Sequence, residues 1–79
     1  MVSEYVQAAL NRALYETIDR DTVCGTVPGL PGVLATGRSL EACRTELVGV
    51  IEEWILVRVS QGLRIPRIGG ARVEVKRAS

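Results

Sequence analysis

The chain has 79 residues, enough for one small domain, and a core of this size is usually marginal unless a second copy, a metal or a disulfide adds stability. A composition of 47% hydrophobic and 24% charged residues excludes a disordered chain. The formal net charge of +1 gives no long-range field toward nucleic acid or an anionic membrane. No signal peptide or membrane span is recognisable, so we expect a cytoplasmic protein. Because the core is small, we also expect the protein to associate with itself.

The absence of histidine narrows the chemistry that the chain can perform. Histidine is the commonest general base and the usual partner of a catalytic serine or cysteine, so triad chemistry within one chain is excluded. Cys24 and Cys43 lie far apart and form no Cys-x-x-Cys unit, which excludes a zinc site of the usual kind. We interpret both as buried, reduced thiols.

A short helix and two strands are predicted in the first part of the chain. Ser3 is a candidate cap for the helix, whose apolar residues recur at helical spacing up to about Leu14. Residues 14–18 then alternate between two faces, as a strand does. Residues 19–21, Asp-Arg-Asp, predict a turn, and the β-branched segment 22–27 predicts the second strand.

A stretch rich in glycine and proline follows, and it could either bind a ligand or only turn the chain. Neither of the common glycine-rich phosphate-binding patterns occurs, and two prolines remove N–H donors that such a loop would use. We therefore predict a hairpin connection to a third strand over 32–36, with glycines at positive φ. The residues with this structural role are Pro28, Gly29, Pro31, Gly32 and Gly37.

The strongest helical pattern runs from Leu40 to Ser60 and begins after Ser39, which predicts a helix cap. Its apolar residues predict one face that covers the sheet, and a wider arc that one small sheet does not cover. We interpret the excess as a partner or oligomer surface rather than as scattered exposed apolar residues. The covering face comprises Leu40, Cys43, Leu47, Val50, Ile51, Trp54 and Val57. The candidate partner residues are Val48, Ile55, Leu56 and Val59.

The C-terminal part begins with an irregular connection and ends in a strand pattern. Gly62 predicts the end of the helix, and Pro66 keeps the connection irregular. Alternation over 71–77 predicts an edge strand, and its Val73 and Val75 are further candidate interface residues. This part has no aromatic residue to stack on bases, so we interpret it as a solvated tail. Because it is basic, a weak RNA contact is the alternative.

Three acidic residues are candidate ligands of a metal ion. Glu16, Asp19 and Asp21 lie close together in the sequence. They crowd one predicted turn, whereas a magnesium site draws its acids from separate elements, so we interpret them as solvated turn residues. We predict no catalytic residue, no metal site and no cofactor, and we do not expect an enzyme.

Four short motifs stand in an order that resembles the HicB-like antitoxin domain family. The resemblance covers Leu14 to Pro66 and implies a β-β-β-α-β domain like a truncated ribonuclease H fold, without a working nuclease site. We therefore expect a single α+β domain over 1–79: a short helix, a three-stranded antiparallel meander, a long helix packed on the sheet and a C-terminal edge strand. The motifs are Leu30-Pro31-Gly32, Ala35-Thr36-Gly37, Ser39 and Glu41-Ala42.

The resemblance also implies a function, namely that of an antidote to a small HicA-like toxin that cleaves mRNA. Family members that repress their own operon carry a DNA-binding segment after this domain, whereas this chain stops after one predicted strand, so specific DNA binding is not expected. Two alternatives stay open. The chain could be a homo-oligomeric regulatory or ligand-binding module without a toxin, or a weak RNA-binding domain.

Overall fold

The computed structural model describes residues 2–68 as two helices and a three-stranded sheet, which confirms the predicted α+β class. The predicted strand over 71–77 lies outside the described residues. Neither described helix is both long and apolar enough to cross a membrane. The elements are α1 (Val2–Asn11), β1 (Leu14–Asp19), β2 (Thr22–Thr26), β3 (Leu34–Gly37) and α2 (Leu40–Ser60).

The sheet is an antiparallel meander in the order β1-β2-β3, as predicted. In one row across the sheet, Tyr15 of β1 pairs with Gly25 of β2, and Gly25 pairs with Ala35 of β3. The register shifts once, between Thr17 and Asp19 of β1. Because successive side chains point to opposite sides of a strand, this row faces α2 and the neighbouring rows face away from it.

Two successive β-turns form the glycine- and proline-rich loop. Leu30 N donates to Val27 O (3.1 Å), and Val33 N donates to Leu30 O (3.2 Å). Each turn has proline in its second place and glycine in its third, as in a type II turn. The φ angles of Gly29 and Gly32 are +92° and +84°, which confirms the predicted positive φ. The apolar residues that flank the turns are buried, so the loop is anchored to the core.

The long helix spans the predicted residues and has a defined cap at each end. Ser39 Oγ accepts a hydrogen bond from the backbone N–H three residues on (3.0 Å), which confirms the N-cap. The C-cap is Gln61, and Gly62, predicted as the cap, is the residue after it, with φ +69°. Leu63 N donates to Arg58 O (2.8 Å), which completes a Schellman motif.

The core lies between the two helices and one side of the sheet. Helix α2 packs across the sheet, and α1 packs against α2. Tyr5 Oη donates to Pro66 O and so joins α1 to the segment after α2. Ser3 is not a cap, because α1 already includes Val2. The buried apolar residues are Tyr5, Val6, Ala9, Leu10, Val27, Leu30, Val33, Ala35, Cys43, Leu47, Ile51, Ile55 and Ile68.

The buried stripe of α2 differs from the predicted one near the end of the helix. The fully buried residues from Cys43 to Ile55 recur every fourth position. Since one turn takes 3.6 residues, each such step rotates the stripe by about 40°, or about 120° in all. The rotation carries Ile55, predicted for the partner surface, into the core at 2% exposure. Val57 is exposed instead, as is Leu40 in the first turn.

Candidate protein-interaction site

The acidic residues near the first hairpin serve the turn. In residues 2–68 no three His, Cys, Asp or Glu side chains are grouped so that they could hold a metal ion. Asp19 Oδ1 accepts a hydrogen bond from Arg20 N (2.7 Å), a local bond typical of a turn carboxylate. Asp21 lines a depression with Thr22 and Arg38, where a carboxylate and a guanidinium bring opposite charges. These placements fit the interpretation of Asp19 and Asp21 as turn residues, but that interpretation is wrong for Glu16, which lies within β1 and pairs with Cys24.

The glycine- and proline-rich loop is held in place by a tryptophan of α2. Trp54 Nε1 donates a hydrogen bond to Pro31 O (3.0 Å). The guanidinium of Arg58 lies 4.7 Å from the centre of the Trp54 ring, in cation–π geometry. Arg58 Nε also donates to Arg64 O (2.9 Å), beyond the end of the helix. The loop is therefore part of the scaffold, as the sequence predicts.

The outer side of α2 carries four exposed glutamates, two of which stand beside an exposed leucine. The two arginines of the helix, Arg44 and Arg58, are half-buried rather than exposed, and Arg44, three residues after Glu41, is near enough in the helix to offset part of its charge. Leu56 is 68% exposed. Glu52 and Glu53 stand four and three residues before it, on the same side of the helix. We call this surface the acidic face of α2; it consists of Glu41, Glu46, Glu52, Glu53 and Leu56.

The other predicted interface residues differ in how exposed they are. Val48 and Val59 are half-buried and pack against the core, so each exposes only part of its side chain. Leu56 alone of the α2 candidates is largely exposed. Val73 and Val75 lie outside the described residues. The structure therefore does not bring the predicted residues of α2 together as one apolar patch.

A second surface, which the sequence patterns do not single out, lies on the side of the sheet away from α2. Leu14, Ile18 and Leu34 are 61%, 57% and 53% exposed. Leu14 pairs with Thr26, and Thr26 with Leu34, so the two leucines share one row. The predicted alternation over 14–18 divides the side chains between two faces of the strand, but it does not say which face α2 covers. We call this surface the open sheet face; it consists of Leu14, Glu16, Ile18, Cys24, Thr26, Leu34 and Thr36.

The two cysteines are both free thiols, but they differ in environment. Cys43 is buried, its Sγ donates to Ala35 O (3.4 Å), and burial raises the pKa of the thiol. Cys24 is half-buried rather than buried, because it lies on the open sheet face. In the second row of that face Cys24 pairs with Glu16 on one side and with Thr36 on the other, so it stands in the middle of the sheet.

Comparisons with known proteins agree with this description. The UPF0150-like family matches residues 4–66. The crystal structure of TTHA0281 from Thermus thermophilus is 38% identical and superposes with a TM-score of 0.87, covering 96% of this chain and 95% of that one. No curated protein sequence matches. The family match extends from α1 through the loop and α2 to the residue that receives the Tyr5 hydrogen bond. The chain belongs to the UPF0150-like family.

Proposed function

We propose that the chain is a HicB-like antitoxin domain that binds and neutralises a HicA-like, mRNA-cleaving toxin. The positions of the motif residues support the resemblance. Leu30-Pro31-Gly32 forms the start of the second turn, Gly37 ends β3, and Ser39 caps α2. With the strand predicted over 71–77, the domain would take the β-β-β-α-β order of a truncated ribonuclease H fold.

The observation that carries the proposal is the acidic face of α2. A toxin that cleaves mRNA has to bind a polyanion, so its RNA-binding surface is basic. Four exposed glutamates on one rigid helix present a complementary surface. Docked on the toxin, this face would occupy the place of the RNA phosphates and exclude the substrate.

The same face has the composition of a binding site with a small apolar centre. Leu56 offers an apolar side chain to the partner, while Glu52 and Glu53 beside it would contact basic groups. Charges around an interface mainly raise the association rate and select the partner, and salt screens them. Binding should therefore weaken at high ionic strength.

A homo-oligomeric regulatory module without a toxin is the second candidate function. The open sheet face favours it, because three large apolar residues there are more than half exposed. Weak RNA binding gains less support, since the acidic face would repel a polyanion.

Co-expression of the tagged chain with each adjacent reading frame tests the proposal. We expect one small basic protein to arrest growth when expressed alone, to cleave RNA when purified, and to be captured by the chain. Capture should fall when the salt concentration is raised. If no adjacent product cleaves RNA, or if an RNA-cleaving product is not captured at low salt, the antitoxin function is wrong.

A further inference from the structure

We propose that the open sheet face is a homodimer interface, in which two copies pack sheet against sheet about a two-fold axis that runs along β2. The inference goes beyond the antitoxin function and does not rest on it. The occupant of the face is a second copy of the same face, and Cys24 of each copy lies at the axis.

The first argument is the charge of the face. Glu16 is the only charged residue among its seven residues, with Asp19 beyond them at the hairpin end of β1, whereas the acidic face of α2 carries four carboxylates. A nucleic acid or a strongly charged protein would find no complementary groups on the open sheet face. A second open sheet face carries equally little charge, and a net charge of +1 on each chain adds little repulsion. Self-pairing of the acidic face would instead bring glutamates against glutamates.

The second argument is where the large apolar residues lie. The described residues include seven large apolar side chains that are well exposed, and three of them belong to the open sheet face. Leu40, Leu56, Val57 and Leu63 are distributed over α2 and the segment after it. The open sheet face is therefore the place where a second copy removes most apolar surface from water.

The third argument is the register, which makes the face complementary to itself. A two-fold axis along β2 places β1 of one copy over β3 of the other. Leu14 then meets Leu34 of the second copy, and Glu16 meets Thr36, whose hydroxyl can donate to the carboxylate. An axis across the strands would set Glu16 against Glu16. The sheets of such a dimer keep their strands within about 30° of each other.

The size of the face sets the strength of the dimer. Strands of six, five and four residues, spaced about 4.8 Å apart with a rise of about 3.3 Å per residue, cover roughly 15 by 17 Å. Stable interfaces bury about 800 Å² on each partner, and smaller ones are weak or transient. We therefore expect a dimer that forms and dissociates rapidly and depends on concentration.

Disulfide trapping tests the arrangement, because the dimer places Cys24 against Cys24. Copper–phenanthroline with dissolved oxygen as the electron acceptor removes two protons and two electrons from the thiol pair and leaves a disulfide. We expect a covalent dimer of the full chain on a non-reducing gel. Cys24→Ser should abolish it, whereas Cys43→Ser should keep it, since Cys43 is fully buried.

A charge-pair experiment tests the direction of the axis. Leu14→Glu alone and Leu34→Lys alone should each reduce the trapped dimer at least about tenfold, because each buries charge without a partner. The double variant Leu14→Glu/Leu34→Lys should restore it, because opposite charges then meet across the axis. Because both sites are exposed, we expect the variants to fold, and circular dichroism checks this.

Sedimentation equilibrium of the Cys24→Ser chain gives a readout without a disulfide. We expect reversible dimerisation that Leu34→Lys removes. A wild-type chain that gives no Cys24 disulfide and stays monomeric up to millimolar concentration would overturn the proposal. So would trapping that survives both single substitutions, or single losses that the double variant does not restore.

Discussion

The two sides of the sheet differ in how closely other side chains approach the strands. On the side covered by α2, the central row runs from Tyr15 through Gly25 to Ala35, and a Cβ atom added to Gly25 would lie 3.0 Å from Cys43 Sγ and 3.1 Å from Tyr15 Cε1. On the open side, Leu14 and Leu34 are large and mostly exposed. The middle of the covered side needs a small residue at Gly25, because both Cys43 of α2 and the ring of Tyr15 approach it closely. Hydrophobicity alone therefore does not tell which side of this sheet is inside.

The close approach of helix and sheet predicts the largest effect. A Cβ atom added at Gly37 would lie 2.4 Å from Cys43 N, a backbone atom that cannot turn away. We expect Gly37→Val to lower the free energy of unfolding in urea by about 3 kcal/mol, the upper end of the usual cost of overpacking. Gly49→Ala is the matched control, because nothing lies near its added Cβ, and it should raise the stability by about 0.5–1 kcal/mol. Equal effects of the two substitutions would contradict the packing described.

Truncating a leucine on each side compares the two environments directly. Leu47 is fully buried under the sheet, so Leu47→Ala should cost about 2–5 kcal/mol. Leu34→Ala should change the stability of the monomer by less than about 0.5 kcal/mol, because Leu34 is already half in water. Urea denaturation at low protein concentration measures both. A large loss with Leu34→Ala under those conditions would show that the open side is covered within the monomer.

The hydrogen bond of the loop to α2 should have a moderate effect. Trp54→Phe keeps most of the ring but removes the donor to Pro31 O, so we expect a loss of about 1 kcal/mol. Hydrogen exchange of Val33 N–H, which is bonded to Leu30 O, should become faster. Unchanged stability and exchange would mean that the two type II turns hold the loop without α2.

The buried thiol should make stability depend weakly on alkaline pH. Burial raises the pKa of Cys43 in the folded chain above its value in the unfolded chain. Its contribution is therefore complete below the unfolded pKa and is lost as pH rises through the folded pKa. Stability should fall as pH rises above the ordinary thiol pKa of about 8.5. Cys43→Ser should make stability less dependent on pH in this range. If stability falls equally steeply in the variant, other groups cause the fall. Burial also raises the pKa of Tyr5, so a further loss should follow at higher pH.

Local signals made much of the fold predictable. Ser39 and Gly62 mark the ends of α2, and the repeated proline-glycine pairs give both turns of the loop. The rotation of the buried stripe was not predictable, since a helical wheel does not say how the sheet runs along the helix. This is why Ile55 was expected at a partner surface and Val57 in the core, whereas the structure has the reverse.

The interaction surfaces were predictable only in part. Leu56 is recognisable in the sequence because it is apolar and falls on the side of α2 opposite the covering face. The open sheet face is not recognisable in this way, because alternation in β1 divides Leu14 and Tyr15 between two sides without saying which side α2 covers. Only the close contact of Cys43 with the sheet settles that, and it depends on residues far apart in the chain.

Inhibition of a purified toxin tests the proposed function of the acidic face most directly. The RNA-cleaving product of an adjacent reading frame would be titrated with the wild-type chain and with Glu52→Lys/Glu53→Lys. Glu4→Lys/Asp21→Lys is the matched control, since it makes the same change in charge at exposed residues that do not belong to this face. We predict that the wild type and the control inhibit RNA cleavage equally, and that Glu52→Lys/Glu53→Lys is at least about tenfold weaker at low salt. Equal inhibition by all three chains would contradict a role for the acidic face, and no inhibition by the wild type would contradict the antitoxin function itself.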